Sequence, residues 1–385
     1  MEPMADANNL EQAMMRRAKA QGIPLNGSLE LTPLCNLNCE MCYVRLSREE
    51  MERQGRLRTV EEWLALGREM QKAGVLFLLL TGGEPLLYPD FKKLYLGLRE
   101  LGMVLTVNTN GTMIDEEWAD FFAQYKPRRI NITLYGPDAE TYAALCRSAD
   151  GYERTVRAVR LLTERGVDVR LGASAARSNE GKIADIIRCG DELGVPVRTE
   201  TYMMPAERER QQPYDMQSRL DPVSAARVRI AALKQEMGPE IFARYVAETA
   251  MMVEAFQPSD EPRRMTCYAG NCSFTVNWQG FIRPCVVLAQ PSVNVFEVGF
   301  AEAWQQIRTG CSAVRLNVKC SACRLRPVCR TCAAAALLET GSFDGVPDYV
   351  CRYAEESWRL VQEEWEALKR KAEQHRREAE EQDHA

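Results

Sequence analysis

The chain has 385 residues with 49 basic and 54 acidic side chains, and its net charge of −5 leaves no electrostatic footprint for nucleic acid. The longest apolar runs are about six residues, far short of the ~20 that a membrane-spanning helix needs, and the N-terminus has no apolar signal core. The two histidines, His375 and His384, lie in a polar tail, which argues against histidine-based catalytic pairs and histidine-rich zinc sites. A cytoplasmic location is expected, and there 14 cysteines point to metal ligation rather than disulfides.

The length fits two or three domains. Residues 1–27 read as a polar lead-in with a helix from Asn9 to Ala20. From Ser28 strand-like and helix-like patterns alternate. Strands are expected at Leu29–Thr32, Val75–Thr81, Val104–Asn108, Arg129–Leu134, Val167–Gly172 and Val195–Tyr202, with helices between. One of these helices opens on a capping box, Thr59 with Glu62. Six β/α units over residues 28–204 imply a parallel sheet curled into part of a barrel, with its site at the C-terminal strand ends.

The alternation breaks over residues 205–262. Pro205, Pro213 and Asp221-Pro222 mark a linker, and a helical stretch, Val223–Phe256, follows with an interruption near Gly238-Pro239. This bridge serves either as a wall of the substrate cleft or as a spacer. A cysteine-rich block occupies residues 263–352. A terminal helix and polar tail fill 353–385, where Trp358, Val361, Trp365 and Leu368 make one apolar stripe. The stripe is expected to dock on the chain's own body rather than on a second copy.

Cys35, Cys39 and Cys42 stand in a C-x-x-x-C-x-x-C array. Three thiolates on one loop grip three corners of a compact soft metal centre, and thiolate is the ligand that iron–sulfur clusters select. The fourth corner is left for a ligand that is not protein, which suits a cluster that reduces a substrate. A pure electron carrier has no use for an open iron. The strand Val75–Thr81 is an apolar run that fits a buried parallel strand, and it ends in Gly82-Gly83-Glu84-Pro85. The glycines allow close backbone approach, and Glu84 supplies a carboxylate able to accept from an ammonium group.

Together the cysteine array and the TGGEP segment resemble the radical S-adenosylmethionine (radical SAM) superfamily. The resemblance implies a 4Fe–4S cluster on Cys35, Cys39 and Cys42 whose open iron chelates SAM. Gly82, Gly83, Glu84 and Pro85 then hold the methionine end. One-electron cleavage of SAM gives a 5′-deoxyadenosyl radical that takes a substrate hydrogen. The residue before the last cysteine is Met41 where the family usually has an aromatic, and a large apolar side chain still packs near adenine. By the same resemblance Thr133 falls near the SAM ribose or carboxylate, and Arg147 falls where an arginine pairs with the SAM carboxylate. Read from the residues alone, Thr133 is equally a strand threonine and Arg147 a surface helix residue. Asn110, in the turn Asn108–Gly111, is a SAM contact or a turn former.

The second constellation is Cys267, Cys272 and Cys285, then Cys320-x2-Cys323-x5-Cys329-x2-Cys332, then Cys351. Two C-x-x-C pairs alone also fit zinc ribbons. Beside a radical SAM core the block resembles the SPASM domain, which carries two auxiliary 4Fe–4S clusters. Carried over by position, Cys267, Cys272, Cys285 and Cys332 hold one cluster; Cys320, Cys323, Cys329 and Cys351 hold the other. The Cys329–Cys332 spacing is one residue shorter than in many members. Cys146, Cys189 and Cys311 are left over as small apolar residues.

The fold expected is therefore α/β, a partial (β/α)6 TIM-like barrel followed by a small cysteine-rich iron–sulfur domain. Enzymes of this type mostly modify peptides or proteins, so the resemblance implies a maturase of ribosomally made peptides. It would form a thioether or carbon–carbon crosslink or carry out a related oxidation. The alternative is an oxidoreductase acting on a sugar or other small metabolite. The sulfatase-maturing subgroup places an aspartate base where this chain has Val286, which favours crosslinking over hydroxyl oxidation. Tyr202, Glu200 or Asp344 remain as bases from elsewhere. With 27 residues before the first strand, leader recognition is assigned to the bridge or to a separate leader-binding protein. A flavodoxin or ferredoxin is the expected electron donor, and neither nucleic acid nor membrane is an expected partner.

Overall fold

The computed structural model describes residues 3–204, 218–329 and 331–383. The linker prolines Pro205 and Pro213, and His384, lie outside them. In chain order the first half runs α1 (Pro3–Gln21), β1 (Asn26–Glu30), α2 (Arg48–Gln54), α3 (Val60–Ala73), β2 (Phe77–Thr81), α4 (Phe91–Glu100), β3 (Val104–Thr109), α5 (Glu116–Gln124), β4 (Arg129–Thr133), α6 (Ala139–Cys146), α7 (Gly151–Glu164), β5 (Val169–Ser174), α8 (Ile183–Glu192) and β6 (Val197–Glu200). The second half runs α9 (Pro222–Glu254), β7 (Ser273–Val276), β8 (Phe281–Arg283), β9 (Val293–Asn294), α10 (Val295–Val298), α11 (Phe300–Ala313), α12 (Val318–Ala322), α13 (Ala333–Thr340) and α14 (Asp348–Asp383).

All six expected strands are present, in parallel register and in the order β6-β5-β4-β3-β2-β1. Their edges differ from expectation. β1 begins three residues earlier than Leu29 because Asn26 already pairs with Phe77 and Ser273. β6 stops at Glu200, so Thr201 and Tyr202 leave the sheet. The helix expected from Asn9 begins at Pro3.

Period-two burial explains how the sheet makes a site. Leu78, Leu80, Leu105, Val107, Ile130, Ile132 and Leu171 point outward into the helix-covered core. Their alternates, including Leu79, Thr106, Asn131 and Thr133, stay half-buried on the concave side. The apolar β2 run is thus buried on one face, not both. The helices fit the outer face. On α3, Val60, Trp63, Leu66 and Met70 are buried, each such side chain contributing about 1.5–3 kcal/mol by leaving water. The Thr59–Glu62 capping box opens that helix, and Gly74 closes it at φ 98°.

The cysteine-rich region does not stand apart from the barrel. β7 pairs parallel with β1, and β8 and β9 follow antiparallel, so one nine-stranded sheet runs through both regions. Trp304 donates to the Gly22 carbonyl at 2.9 Å, Phe300 N–H to Glu69 at 2.7 Å, and Arg58 to the Gln279 carbonyl at 2.7 Å. α1 packs Met15 and Ala18 against Leu25, Phe77 and Cys272, beneath the N-terminal ends of β1 and β2.

The bridge helix α9 breaks at Gly238 (φ 71°, ψ 168°) before Pro239, as the sequence implies. Its two halves present Ile230, Leu233, Phe242 and Val246 to Val361, Trp358, Trp365 and Leu368 of α14. The terminal stripe therefore docks on the chain's own body.

Candidate functional site

The cysteine loop leaves the C-terminal end of β1 and is fastened on two sides. On one side Gly83 N–H donates to the Thr32 carbonyl at 2.7 Å and Glu84 N–H to the Leu34 carbonyl at 2.8 Å. A Cβ on Gly83 would sit 2.3 Å from the Leu34 carbonyl oxygen, and one on Gly82 (φ 151°) 2.5 Å from that of Thr32. The close approach that the two glycines permit is thus to the chain's own cysteine loop. On the other side Asn38 and Glu40 N–H groups donate to the carbonyls of Cys146 and Leu145, the last residues of α6. Arg147 caps that helix in the left-handed region (φ 57°) with an exposed side chain. For a non-glycine residue this conformation is strained.

Glu84 is fully buried, and its carboxylate is spoken for. It accepts from Thr109 Oγ1 and Asn110 N–H, both at 2.8 Å, and from Leu86 N–H at 3.1 Å. Three donors fill most of the acceptor capacity of a carboxylate. Burial nonetheless raises its pKa to about 7, against the lowering by those donors. Its visible task is to tie the end of β2 to the turn after β3. That turn reaches the cysteine loop through Asn110, whose amide donates to Asn36 Oδ1 at 2.9 Å and to Cys35 Sγ at 3.7 Å. Asn36 in turn donates to Thr112 Oγ1 at 2.8 Å. Asn36, Thr109 and Thr112 were invisible to spacing arguments. Their only sequence signal is adjacency to Cys35 and Asn110.

Five thiols of the candidate ligand sets accept a backbone hydrogen bond. Cys35 Sγ accepts from Leu37 N–H (3.4 Å), Cys42 from Arg45 N–H (3.3 Å), Cys285 from Leu288 N–H (3.3 Å), Cys329 from Thr331 N–H (3.4 Å) and Cys332 from Ala335 N–H (3.4 Å). Backbone N–H donors aimed at sulfur favour thiolate, the form that binds metal. By contrast Cys146 donates to the Tyr142 carbonyl at 2.8 Å, Cys189 to Pro137 at 3.8 Å and Cys272 to Met15 at 3.7 Å. Burial pushes Cys35 up to about 12, with the charges of Glu84 and Cys42 adding to it. Without a metal the Cys35 thiol is therefore protonated.

Cys320, Cys323, Cys329 and Cys351 line a single cavity of about 220 Å³, and burial, with the charges of the other three adding to it, raises the Cys351 pKa. Burial, with the charges of Cys332 and Cys267 adding to it, likewise raises that of Cys285. Cys272 stands aside from that group, wholly buried against α1, and Cys267 is the one thiol whose charge it senses. Cys311, left aside in the sequence reading, is buried within electrostatic reach of Cys267 and Cys285. Among the described residues no three His, Cys, Asp or Glu side chains gather tightly enough for a single metal ion; the thiols surround space. Thiolate is the donor that iron–sulfur centres select.

A cavity of about 340 Å³ lies between Tyr43, the residue after Cys42, and Cys285. It runs from Tyr43 and Gly82 past Ser28, Glu30 and Thr81 to Cys285 and Val286. A second, of about 250 Å³, lies on the concave face of β3–β6 and is lined by Thr133, Asn108, Asn131 and Arg170. Met41 is half-buried against the main core, and Pro85 is buried at the start of a short turn of helix. No described helix is long and apolar enough to cross a membrane.

Comparison with known proteins matches this arrangement to established ones. The chain is 24% identical over 266 residues to the Bacillus subtilis (strain 168) antilisterial bacteriocin subtilosin biosynthesis protein AlbA, covering 69% of this chain and 55% of AlbA. The chain thus spans little more than half of that relative. It is also 24% identical over 284 residues to an AdoMet-dependent heme synthase of Methanosarcina barkeri, covering 72% of this chain and 80% of the synthase. The crystal structure of Streptococcus suis SuiB bound to precursor peptide SuiA superposes with a TM-score of 0.64 at 19% identity, over 91% of this chain and 81% of SuiB. That likeness is one of fold. Residues 29–176, which hold the cysteine loop, the glycine pair and the Asn110 turn, match the radical SAM superfamily.

Proposed function

We propose that the protein is a radical SAM peptide maturase with two auxiliary iron–sulfur clusters. The carrying observation is the cavity that runs from Tyr43 and Gly82 to Cys285. It offers one space reached both from the SAM end of the barrel and from the second cysteine region. Cys35, Cys39 and Cys42 would hold the first cluster, which when bound supplies the electron for reductive SAM cleavage and hence hydrogen abstraction from substrate. Cys267, Cys285 and Cys332, with Cys272 as the fourth by position, would hold one auxiliary cluster. Cys320, Cys323, Cys329 and Cys351 would hold the other.

The chain's own residues position rather than react. Gly82 and Gly83 would hold the methionine end of SAM, while buried Glu84 fixes the turn that carries Asn110. Thr133 opens onto the concave cavity. Arg147 is held in a strained conformation beside the cysteine loop, which supports its assignment to the SAM carboxylate. Val286 lines the shared cavity, so the site offers no carboxylate base at that position, consistent with crosslinking rather than hydroxyl oxidation.

The peptide substrate is supported by AlbA and SuiB, whose names or bound partners are peptides. The heme synthase and the modest cavity volumes favour a second reading, a small-metabolite oxidoreductase. The deciding experiment gives the reconstituted protein SAM, dithionite and extract of the source cells under anaerobic conditions, and records 5′-deoxyadenosine. Extract digested with a protease that is then removed should no longer stimulate release, and mass loss in steps of two hydrogens should identify the crosslinked peptide. Stimulation that survives digestion would establish the small-molecule reading instead. A separate leader-binding protein and a flavodoxin or ferredoxin donor complete the proposed system.

A further inference from the structure

Three guanidinium groups share the concave face of β4–β6. Arg129 is paired with Asp168 at 2.9 Å, and Arg198 with Glu200 at 3.0 Å. Arg170 stands between them, and among the described residues no carboxylate, carbonyl or hydroxyl bonds to its guanidinium. Asp168, whose charge it senses, is already taken by Arg129. Arg170 is half-buried on the wall of the 250 Å³ cavity. Burial and the like charges of Arg129 and Arg198 weigh against its charged form. A partly desolvated cation held between two others is costly unless an anion completes it.

The space beside it is open. Gly172 follows Arg170 on the same face of β5, and a Cβ there would meet no atom within 4 Å. The neutral wall is made of hydrogen-bonding groups: Asn131, opposite Arg170 in register, donates to Asn108 at 2.7 Å, and Thr133 and Ser174 lie further along. Arg170 is the second residue of β5, whereas the glycine pair and the Asn110 turn sit at the C-terminal ends of β2 and β3. By strand register Arg170 aligns with Asn131 and through it with Asn108, two residues before Asn110, so the SAM affinity of the variants is what tells a substrate anion from SAM itself.

We propose that Arg170 anchors a carboxylate of the substrate, which on the peptide reading above is an aspartate or glutamate side chain lodged inside the barrel. The planar guanidinium offers a carboxylate two parallel hydrogen bonds, and Gly172 leaves the room for it. The probes are acetyl-Gly-Ala-Glu-Ala-Gly-amide, its Gln twin, and glutarate, each titrated against the SAM-loaded holoprotein. In the wild type the Glu peptide should bind about tenfold more tightly than the Gln peptide, as a charge-assisted pair implies. Arg170→Gln should abolish that advantage, Arg170→Lys should keep part of it, and SAM affinity should stay the same in all three.

No advantage for Glu in the wild type, or an advantage that survives Arg170→Gln, would overturn the proposal. So would a tenfold loss of SAM affinity in Arg170→Gln, which would assign the guanidinium to SAM. Should Arg170→Gln fail to fold, the wild type and Arg170→Lys still decide, since an unchanged Glu advantage in Arg170→Lys at every salt concentration removes the bidentate pair. Binding of glutarate through Arg170 with neither peptide bound would retain the carboxylate site and sink the peptide reading alone.

Discussion

Backbone N–H groups aimed at sulfur favour the thiolate that binds metal, and Cys35, Cys42, Cys285, Cys329 and Cys332 each receive one. Cys272 donates instead, to Met15. Cys285→Ala should therefore lower the iron content of the reconstituted protein by about four atoms per chain, whereas Cys272→Ala should cost less. Iron analysis with electron paramagnetic resonance reads both; equal losses would make Cys272 as firm a ligand as Cys285. At Glu84 burial raises the carboxyl pKa from an ordinary 4.5 to about 7. The folded chain then holds that proton more tightly than the unfolded chain. Its contribution to stability is complete below pH 4.5, declines as pH rises toward 7 and is flat above. The decline amounts to about 3 kcal/mol at most. Denaturant unfolding of the cluster-free chain between pH 5 and 8 should show it, and Glu84→Gln should flatten it. A wild-type stability that rises over this window would mean that the three hydrogen bonds outweigh burial.

Among the elements, the kinked α9 and the terminal α14 form a satellite core separate from the barrel. Phe242 is 3% exposed and Val361 fully buried within it. Phe242→Ala should destabilise the protein by about 3 kcal/mol through lost burial and the cavity left behind. Because both residues belong to one cluster, Phe242→Ala with Val361→Ala should fall short of the sum of the single effects. Thermal unfolding of the three variants tests this; strict additivity would place the two side chains in independent surroundings. This pairing was legible beforehand because a 3-4-3 apolar stripe on a polar helix has to be buried somewhere, and Gly238-Pro239 marks the break in its partner. The exact strand ends were less legible. β1 extends back to Asn26 and Gly27, residues with no strand propensity, because flanking β2 and β7 supply their hydrogen bonds.

For the whole molecule, the parallel pairing of β1 with β7 makes the cysteine-rich region part of the barrel's sheet. A chain ended at residue 204 would bare the β1 edge and uncover the surface that meets Phe274, Phe300 and Trp304. Exposed edges template aggregation, so that truncated chain should elute as an aggregate in size-exclusion chromatography while the full chain does not. A well-behaved monomer would show that the two regions fold independently. The sequence by itself determined the three-cysteine loop, the glycine pair, the six β/α units, the break in the bridge helix and the terminal stripe. Each is written in short-range spacing, where backbone geometry leaves few alternatives. Tertiary structure alone decided that Glu84 is a buried tie, that Cys272 turns toward α1, that one cavity runs from Tyr43 and Gly82 to Cys285 and that Arg170 has no hydrogen-bond partner among the described residues. Those facts depend on residues tens to hundreds of positions apart, brought together by the pairing order of the sheet, which no local pattern encodes.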